Sequence, residues 1–242
     1  MLERNPVLRI IDLKKSFGHK KVLNDMSLEI YENEILLIMG RSGCGKSTLF
    51  KILLGFMKPD SGHLWYKNFD LSTKSKIFKR EVGFVSQENS FYEKLTVNEN
   101  LKFYASLYKV SSKDINRRIN MLLDFVKLSG NENVLAGKLS GGMKRRLEFA
   151  ISLVHNPRIL ILDEPFTGLD LQLKKDLWTL VNKVKASGVT IIIASHLIKE
   201  SQEYIDRAVY VSEGRVKKIF ETSEINNGHD DLEKEFLLEV RG

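Results

Sequence analysis

The run Gly40-Arg41-Ser42-Gly43-Cys44-Gly45-Lys46-Ser47-Thr48 fits the pattern G-x-x-x-x-G-K-[ST] in full. Its chemistry is that of a phosphate cradle. Glycine lets the backbone N–H groups close on a phosphate chain, and the helix that starts here adds its positive dipole end. Lys46 is placed to reach the β- and γ-phosphates, and Ser47 offers a hydroxyl to Mg²⁺. Further along, Ile159-Leu160-Ile161-Leu162 is an apolar strand ending in Asp163 and Glu164. Two adjacent carboxylates on a buried strand are costly unless a cation faces them. Asp163 near Mg²⁺ and Glu164 near an attacking water supply that reason. The absence of an Asn-Lys-x-Asp motif argues against a small GTPase. A third segment, Leu139-Ser140-Gly141-Gly142-Met143, precedes a helix beginning Lys144-Arg145-Arg146. Hydroxyl, bare backbone and dipole make it a second phosphate cradle. One nucleotide does not need two, so the expectation is a dimer in which each chain's second cradle closes over the other chain's nucleotide.

Elements must hold these residues together. Residues 7–13 and 22–30 read as strands broken by Gly18 and by Asn24-Asp25. Ile35–Met39 is a short continuous apolar run, as in a strand buried on both faces of a parallel sheet. It leads into the glycine loop and a helix over 48–55, followed by a hairpin-like piece at 62–66 with a turn near Asn68, then a strand at Val82–Val85. Thr96-Val97-Asn98-Glu99 is a capping box opening a helix with Leu101, Tyr104 and Tyr108 on one face. Ser111–Asp114 opens another, carrying Ile115, Ile119, Leu122 and Val126. Strand runs return at 158–162, 189–194 and 208–211, with helix Leu171–Ala186 between the first two. Strands alternating with helices predict an α/β fold with a parallel sheet, whose active site lies beyond the strands' carboxyl ends. The predicted organisation is a single domain over 1–242. Its β-rich core spans 1–87 and 157–220, an α-helical subdomain 88–156 is inserted, and 221–242 form a helical tail.

Composition sets the boundaries. The chain has 242 residues, 43% hydrophobic and 29% charged, which excludes disorder, a collagen-like chain and a disulfide scaffold. Cys44 is the single cysteine, forbidding an internal disulfide and fitting a reducing cytosol. The five histidines, His19, His63, His155, His196 and His229, lack metal-site spacing, so no zinc is expected. The start has no apolar signal-like run, and the longest apolar runs fall far short of the roughly 18–20 residues that span a bilayer. The chain is therefore expected not to cross a membrane. A net charge of +7 favours an anionic partner: a nucleotide, a nucleic acid or an acidic membrane face. The densest basic clusters, 74–80 and 144–146, lack interleaved aromatics, and no nucleic acid is expected.

These motifs together resemble the ABC transporter ATPase family over nearly the whole chain. In that resemblance Gly40–Thr48 is the Walker A motif, Leu139–Met143 the signature and Ile159–Glu164 the Walker B. Gln87 is similar to the Q-loop glutamine, Asp170 in Gly168-Leu169-Asp170 to the D-loop aspartate, His196 to the switch histidine, and Phe17 to the aromatic that stacks on adenine. The resemblance implies a P-loop NTPase fold of ABC type, with an N-terminal antiparallel part, a mixed or parallel sheet core and a helical insert. It implies ATP and Mg²⁺ as cofactors, with Ser47, Gln87 and Asp163 at the metal and Lys46, Gln87, Glu164 and His196 in catalysis. It also implies a second ATPase chain, an integral membrane subunit, and a cytoplasmic location on the inner face of the membrane. Met143 stands where glutamine is usual, Leu171 where proline often follows the D-loop, and Phe166 where threonine is common. Met143, residues 89–108 and the ending 232–242 resemble the drug- and lipid-exporting subgroup. Rival readings are a soluble ABC ATPase of nucleic-acid repair or translation, disfavoured by a single cassette without heptads, and a non-hydrolysing regulatory cassette, disfavoured by Glu164 and His196. Phe91 and Tyr92, with the face of Tyr104 and Tyr108, are expected to form a groove for a helix of the membrane subunit.

Overall fold

The computed structural model describes residues 5–195 and 201–221. Two long strands open it, β1 (Pro6–Phe17) and β2 (Lys20–Tyr31), paired antiparallel about a turn at Gly18. There follow β3 (Ile35–Met39), α1 (Lys46–Leu53), β4 (Ser61–Tyr66), β5 (Phe69–Asp70), α2 (Leu71–Glu81) and β6 (Val82–Val85). A helical stretch holds α3 (Val97–Leu107), α4 (Ile115–Phe125), a 3-10 turn (Ala136–Lys138) and α5 (Gly141–Leu153). The chain then returns to β7 (Ile159–Asp163), α6 (Leu171–Ala186), β8 (Thr190–Ala194), β9 (Arg207–Ser212) and β10 (Arg215–Glu221). Among the described residues no helix is long and apolar enough to cross a membrane.

The strands form two sheets. One is antiparallel in the order β2-β1-β4-β5. The other runs β10-β9-β3-β8-β7-β6 and is parallel except for β10, which lies antiparallel on β9. The apolar runs are continuous because the six-stranded sheet is covered on both faces. Ile35, Leu37 and Met39 of β3 join the core under the helices, while Leu36 and Ile38 join the core under the antiparallel sheet, α1 and α2. β7 splits the same way, with Leu160 and Leu162 on one side and Ile159 and Ile161 on the other. Each such side chain contributes about 1.5–3 kcal/mol by leaving water. The parallel strands β3, β6 and β7 therefore bring the glycine loop, Gln87 and the Asp163-Glu164 pair out at one edge.

The helical insert starts on its capping box. Thr96 Oγ1 accepts from the Glu99 N–H (3.2 Å) and the Glu99 carboxylate accepts from the Thr96 N–H (2.8 Å). Val97, Leu101 and Leu147 of the insert share one core with Leu37 and Leu160 of the sheet.

Three features depart from the sequence reading. α2 occupies a stretch read only as a basic cluster; its buried Leu71 and Phe78 stand seven residues apart, too sparse for a visible stripe. Phe78 meets Tyr66 edge-on, with ring centroids 5.2 Å apart. β10 was not foreseen as a strand, since on this edge only Phe220 is fully buried. Glu221, expected to begin a helical tail, ends β10, and residues 222–242 of that tail lie outside the described residues.

Candidate functional site

Past the end of β3 the chain turns back on itself. The Cys44 N–H donates to the Arg41 carbonyl (3.2 Å), and Gly43 and Gly45 take φ values of 81° and 113°. Gly45 is the N-cap of α1, where a Cβ would stand 2.8 Å from the Val22 carbonyl oxygen; at Gly40 it would stand 2.3 Å from that of Val211. Lys46 is buried, and its Nζ donates to the Gly40 carbonyl at 2.7 Å. An ammonium held out of water against carbonyl oxygens, at a helix N-terminus, is a strong seat for an oxyanion. The loop walls a cavity of about 660 Å³, the size of a small-ligand site. Its lining brings together Gly40, Arg41, Ser42, Gly43, Gly45, Lys46, Ser47, Thr48, Gln87, Asp163 and Glu164, and adds Lys20, Val22 and Thr167.

Asp163 closes β7 and is hydrogen-bonded by the Ser47 side chain; burial pushes its carboxyl above the usual range, and the neighbouring Glu164 charge adds to that. Glu164 sits at φ 49°, in the left-handed region, which costs a non-glycine residue about 1–3 kcal/mol. Its surroundings hold it there. Its N–H donates to the Ala194 carbonyl (2.9 Å), and its own carbonyl accepts from the Thr167 N–H (3.4 Å) and from the Arg145 guanidinium (3.3 Å). Thr167 Oγ1 donates to its carboxylate (3.3 Å). Among the described residues no three His, Cys, Asp or Glu side chains gather to hold a metal by themselves. Mg²⁺ needs only one or two protein oxygens, with water and phosphate completing its shell. The bonded Ser47–Asp163 pair and Gln87 in the same cavity fit that requirement.

The other candidates lie elsewhere. Cys44 is half-buried and does not line the cavity; its Sγ is 3.9 Å from Lys46 Nζ. Phe17 stands half-exposed at the end of β1, paired in register with the cavity residue Lys20. His196 lies outside the described residues. Ser140 is the N-cap of α5, its Oγ accepting from the Met143 N–H (3.3 Å). Ser140 and Gly141 are exposed, and a Cβ on Gly141 would meet nothing within 4 Å; on Gly142 it would stand 2.6 Å from Leu173 of α6. Asp170 caps α6, accepting from the Leu173 N–H at 2.9 Å, so Leu173 links the two helix starts. Ser140, Gly141, Gly142 and Asp170 are not part of the cavity wall.

The aromatic groove differs from expectation. Phe91 is a core residue, 7% exposed, because the loop folds back and Tyr104 Oη donates to the Ser90 carbonyl. Tyr92 packs edge-on against Phe103, with centroids 5.0 Å apart. A groove of about 340 Å³ does run past Tyr104 and Tyr108, but its other walls are Leu54, Phe56, Lys79, Val82, Phe84, Ser90, Ile151 and Ser152. Sequence reasoning missed Phe56, Lys20, Val22, Thr167 and Arg145. The signal for Arg145 was available: a charge pair with Glu148, three residues on, inside the apolar stretch Leu147–Leu153.

Comparison with known proteins agrees with this geometry. Residues 23–167 match the family model described as ABC transporter. Nod factor export ATP-binding protein I of Rhizobium sp. (strain N33) is 35% identical over 203 residues, 84% of this chain and 67% of that protein. Sulfate/thiosulfate import ATP-binding protein CysA of Gloeobacter violaceus is 34% identical over 234 residues, 96% of this chain and 67% of that protein. Among solved structures, an ATP-binding subunit of an ABC transporter superposes with a TM-score of 0.86 at 27% identity, covering 98% of this chain and all of that one. A dimeric bacterial ABC transporter cassette gives 0.80 at 25% identity, covering 89% of this chain and 98% of that one.

Proposed function

This chain belongs to the ABC transporter family as an ATP-binding subunit, and from that premise we propose that it hydrolyses ATP in a two-chain sandwich and drives export through a separate membrane subunit. The observation that carries the reading is the exposed cradle at Ser140-Gly141: both residues face solvent, and the space a Cβ on Gly141 would enter is open. A second copy would bring that cradle to the γ-phosphate of the ATP held on Lys46.

In this mechanism Gly40–Thr48 binds the triphosphate, Lys46 compensates the β/γ charge, and Phe17 stacks on the base. Ser47, Asp163 and Gln87 would hold Mg²⁺, which when bound would neutralise phosphate charge. Glu164 accepts the proton of a water as its oxygen attacks the γ-phosphorus, and the bond to ADP breaks to release phosphate. His196 and Asp170 complete the site from their own and the opposite chain. The groove at Phe56, Tyr104 and Tyr108 receives a helix of the membrane subunit, since Phe56 is 71% exposed and apolar. Export, rather than the import of the sulfate relative, rests on Met143 in the signature and on the Nod factor export relatives. The chain then works on the cytoplasmic face of the membrane.

The test is Glu164→Gln, which keeps the shape of the side chain and removes the base. ATP binding is expected to persist, turnover to fall by about 100-fold or more, and an ATP-bound dimer to accumulate in size-exclusion chromatography. Turnover within a few-fold of wild type rejects Glu164 as the base.

A further inference from the structure

Arg145 belongs to neither cradle, yet it is buried at 8% exposure, and the Glu148 side chain beside it is wholly buried. Its guanidinium reaches three segments at once. Nε donates to the Pro165 carbonyl (2.9 Å), Nη2 to the Glu164 carbonyl (3.3 Å), and Nη1 to the Ser86 carbonyl (2.8 Å) and the Glu148 carboxylate (2.5 Å). The other oxygen of Glu148 accepts from the Ser90 N–H (3.1 Å). The pair thus bonds both ends of the loop that carries Gln87, and the turn that carries Glu164, to helix α5.

A buried ion pair is a poor way to stabilise a core, because apolar residues of equal volume do as well or better. Here the guanidinium is directed at backbone carbonyls of two functional loops. One of those carbonyls belongs to Glu164, whose left-handed backbone needs an outside hold. We infer that Arg145, clamped by Glu148, is a positioning residue that fixes the Glu164 and Gln87 backbones to the helix whose tip is Ser140. The assignment rests on Glu164 acting as the base in a two-chain sandwich. In that sandwich the tip of α5 touches the partner's nucleotide while Arg145, one turn along, holds this chain's own Glu164. Occupancy of one site is thereby felt at the base of the other.

The experiment uses the purified chain with Arg145→Lys, Glu148→Gln and the paired replacement Arg145→Met with Glu148→Leu, which preserves apolar volume. Thermal unfolding, ATP affinity under non-turnover conditions, and steady-state kcat and KM are measured for each. The paired variant is expected to fold and to bind ATP within about threefold of wild type, while kcat drops about tenfold or more at unchanged KM. Arg145→Lys is expected to recover part of that loss. A folded paired variant with kcat within about twofold of wild type overturns the inference, as does an ATP affinity that falls in step with kcat. Failure of all three variants to fold also overturns it, assigning the pair to the core. Glu164→Gln, run alongside, separates the causes. If it turns over normally, both readings fall; if it is dead while the paired variant is active, only the positioning role fails.

Discussion

At the start of α1 the chain itself demands glycine, whereas at the start of α5 it does not. Gly40 and Gly45 face backbone carbonyls too close for any Cβ, and Gly45 holds a backbone angle that other residues avoid. Gly141 faces open space from an ordinary helical position. The first cradle is built into the fold, with Lys46 buried and a cavity around it. The second is only a helix tip, capped by Ser140 and open to solvent. Similar sequence signatures thus divide into a walled pocket and an exposed helix tip, which in the proposed two-chain reading a second copy completes.

The sharpest way to break this contrast is to damage each cradle separately. Ser140→Arg is expected to cut turnover about 1,000-fold while a monomer still binds ATP within about threefold of wild type. Lys46→Ala is expected to weaken that binding by about 100-fold, because the phosphate charge loses its cation. Calorimetry on the monomer with parallel phosphate-release assays reads both. If Ser140→Arg abolishes monomer binding, the second cradle acts within its own chain and the contrast collapses.

Packing sharpens the comparison further. Gly45→Ala forces a strained angle and a clash with the Val22 carbonyl, and is expected to destabilise by about 2–4 kcal/mol. Gly141→Ala should change stability by no more than about 0.5 kcal/mol, and in the favourable direction. Denaturant melts measure the pair; equal losses would mean the two glycines serve the fold alike.

The smallest effect concerns Asp163. Burial raises its folded carboxyl above the ordinary aspartate value of 3.8, so the folded chain keeps this proton to a higher pH than the unfolded chain does. Stability is therefore given up as pH rises from 3.8 through the raised value, and the penalty is complete above it. Asp163→Asn removes that penalty. It is expected to melt about 2 °C higher at neutral pH, with the gain fading as pH falls to 3.8 or below. A variant that melts lower at neutral pH would show that the carboxylate stabilises the empty first cradle.

Legibility in the sequence followed how local each signal was. β3 and α6 were readable to the residue because an unbroken apolar run and a capped helical stripe each state their own limits. The glycine loop was readable for the same reason. Lys20, Val22 and Thr167 were not, since a long hairpin and a turn after β7 carry them to the cavity and neither placement shows in their neighbours. Phe91 illustrates the converse. An aromatic in a loop looks alike whether exposed or folded back, and the decision came from Tyr104, thirteen residues on, whose hydroxyl tethers Ser90. α2 stayed hidden because its described buried apolar residues, Leu71 and Phe78, stand amid lysines without a continuous stripe.

The place of β3 between β8 and β9 also sets a schedule. Its hydrogen-bonding neighbours are encoded at 190–194 and 207–212, far downstream. At about 5–20 residues per second, this apolar strand leaves the ribosome on the order of ten seconds before either neighbour. Through that interval it is an unpaired edge, and the charges at Glu32, Glu34 and Arg41 around it occupy gatekeeper positions against sticking to other nascent chains. The glycine loop is thus synthesised well before the strands that complete the sheet giving it shape.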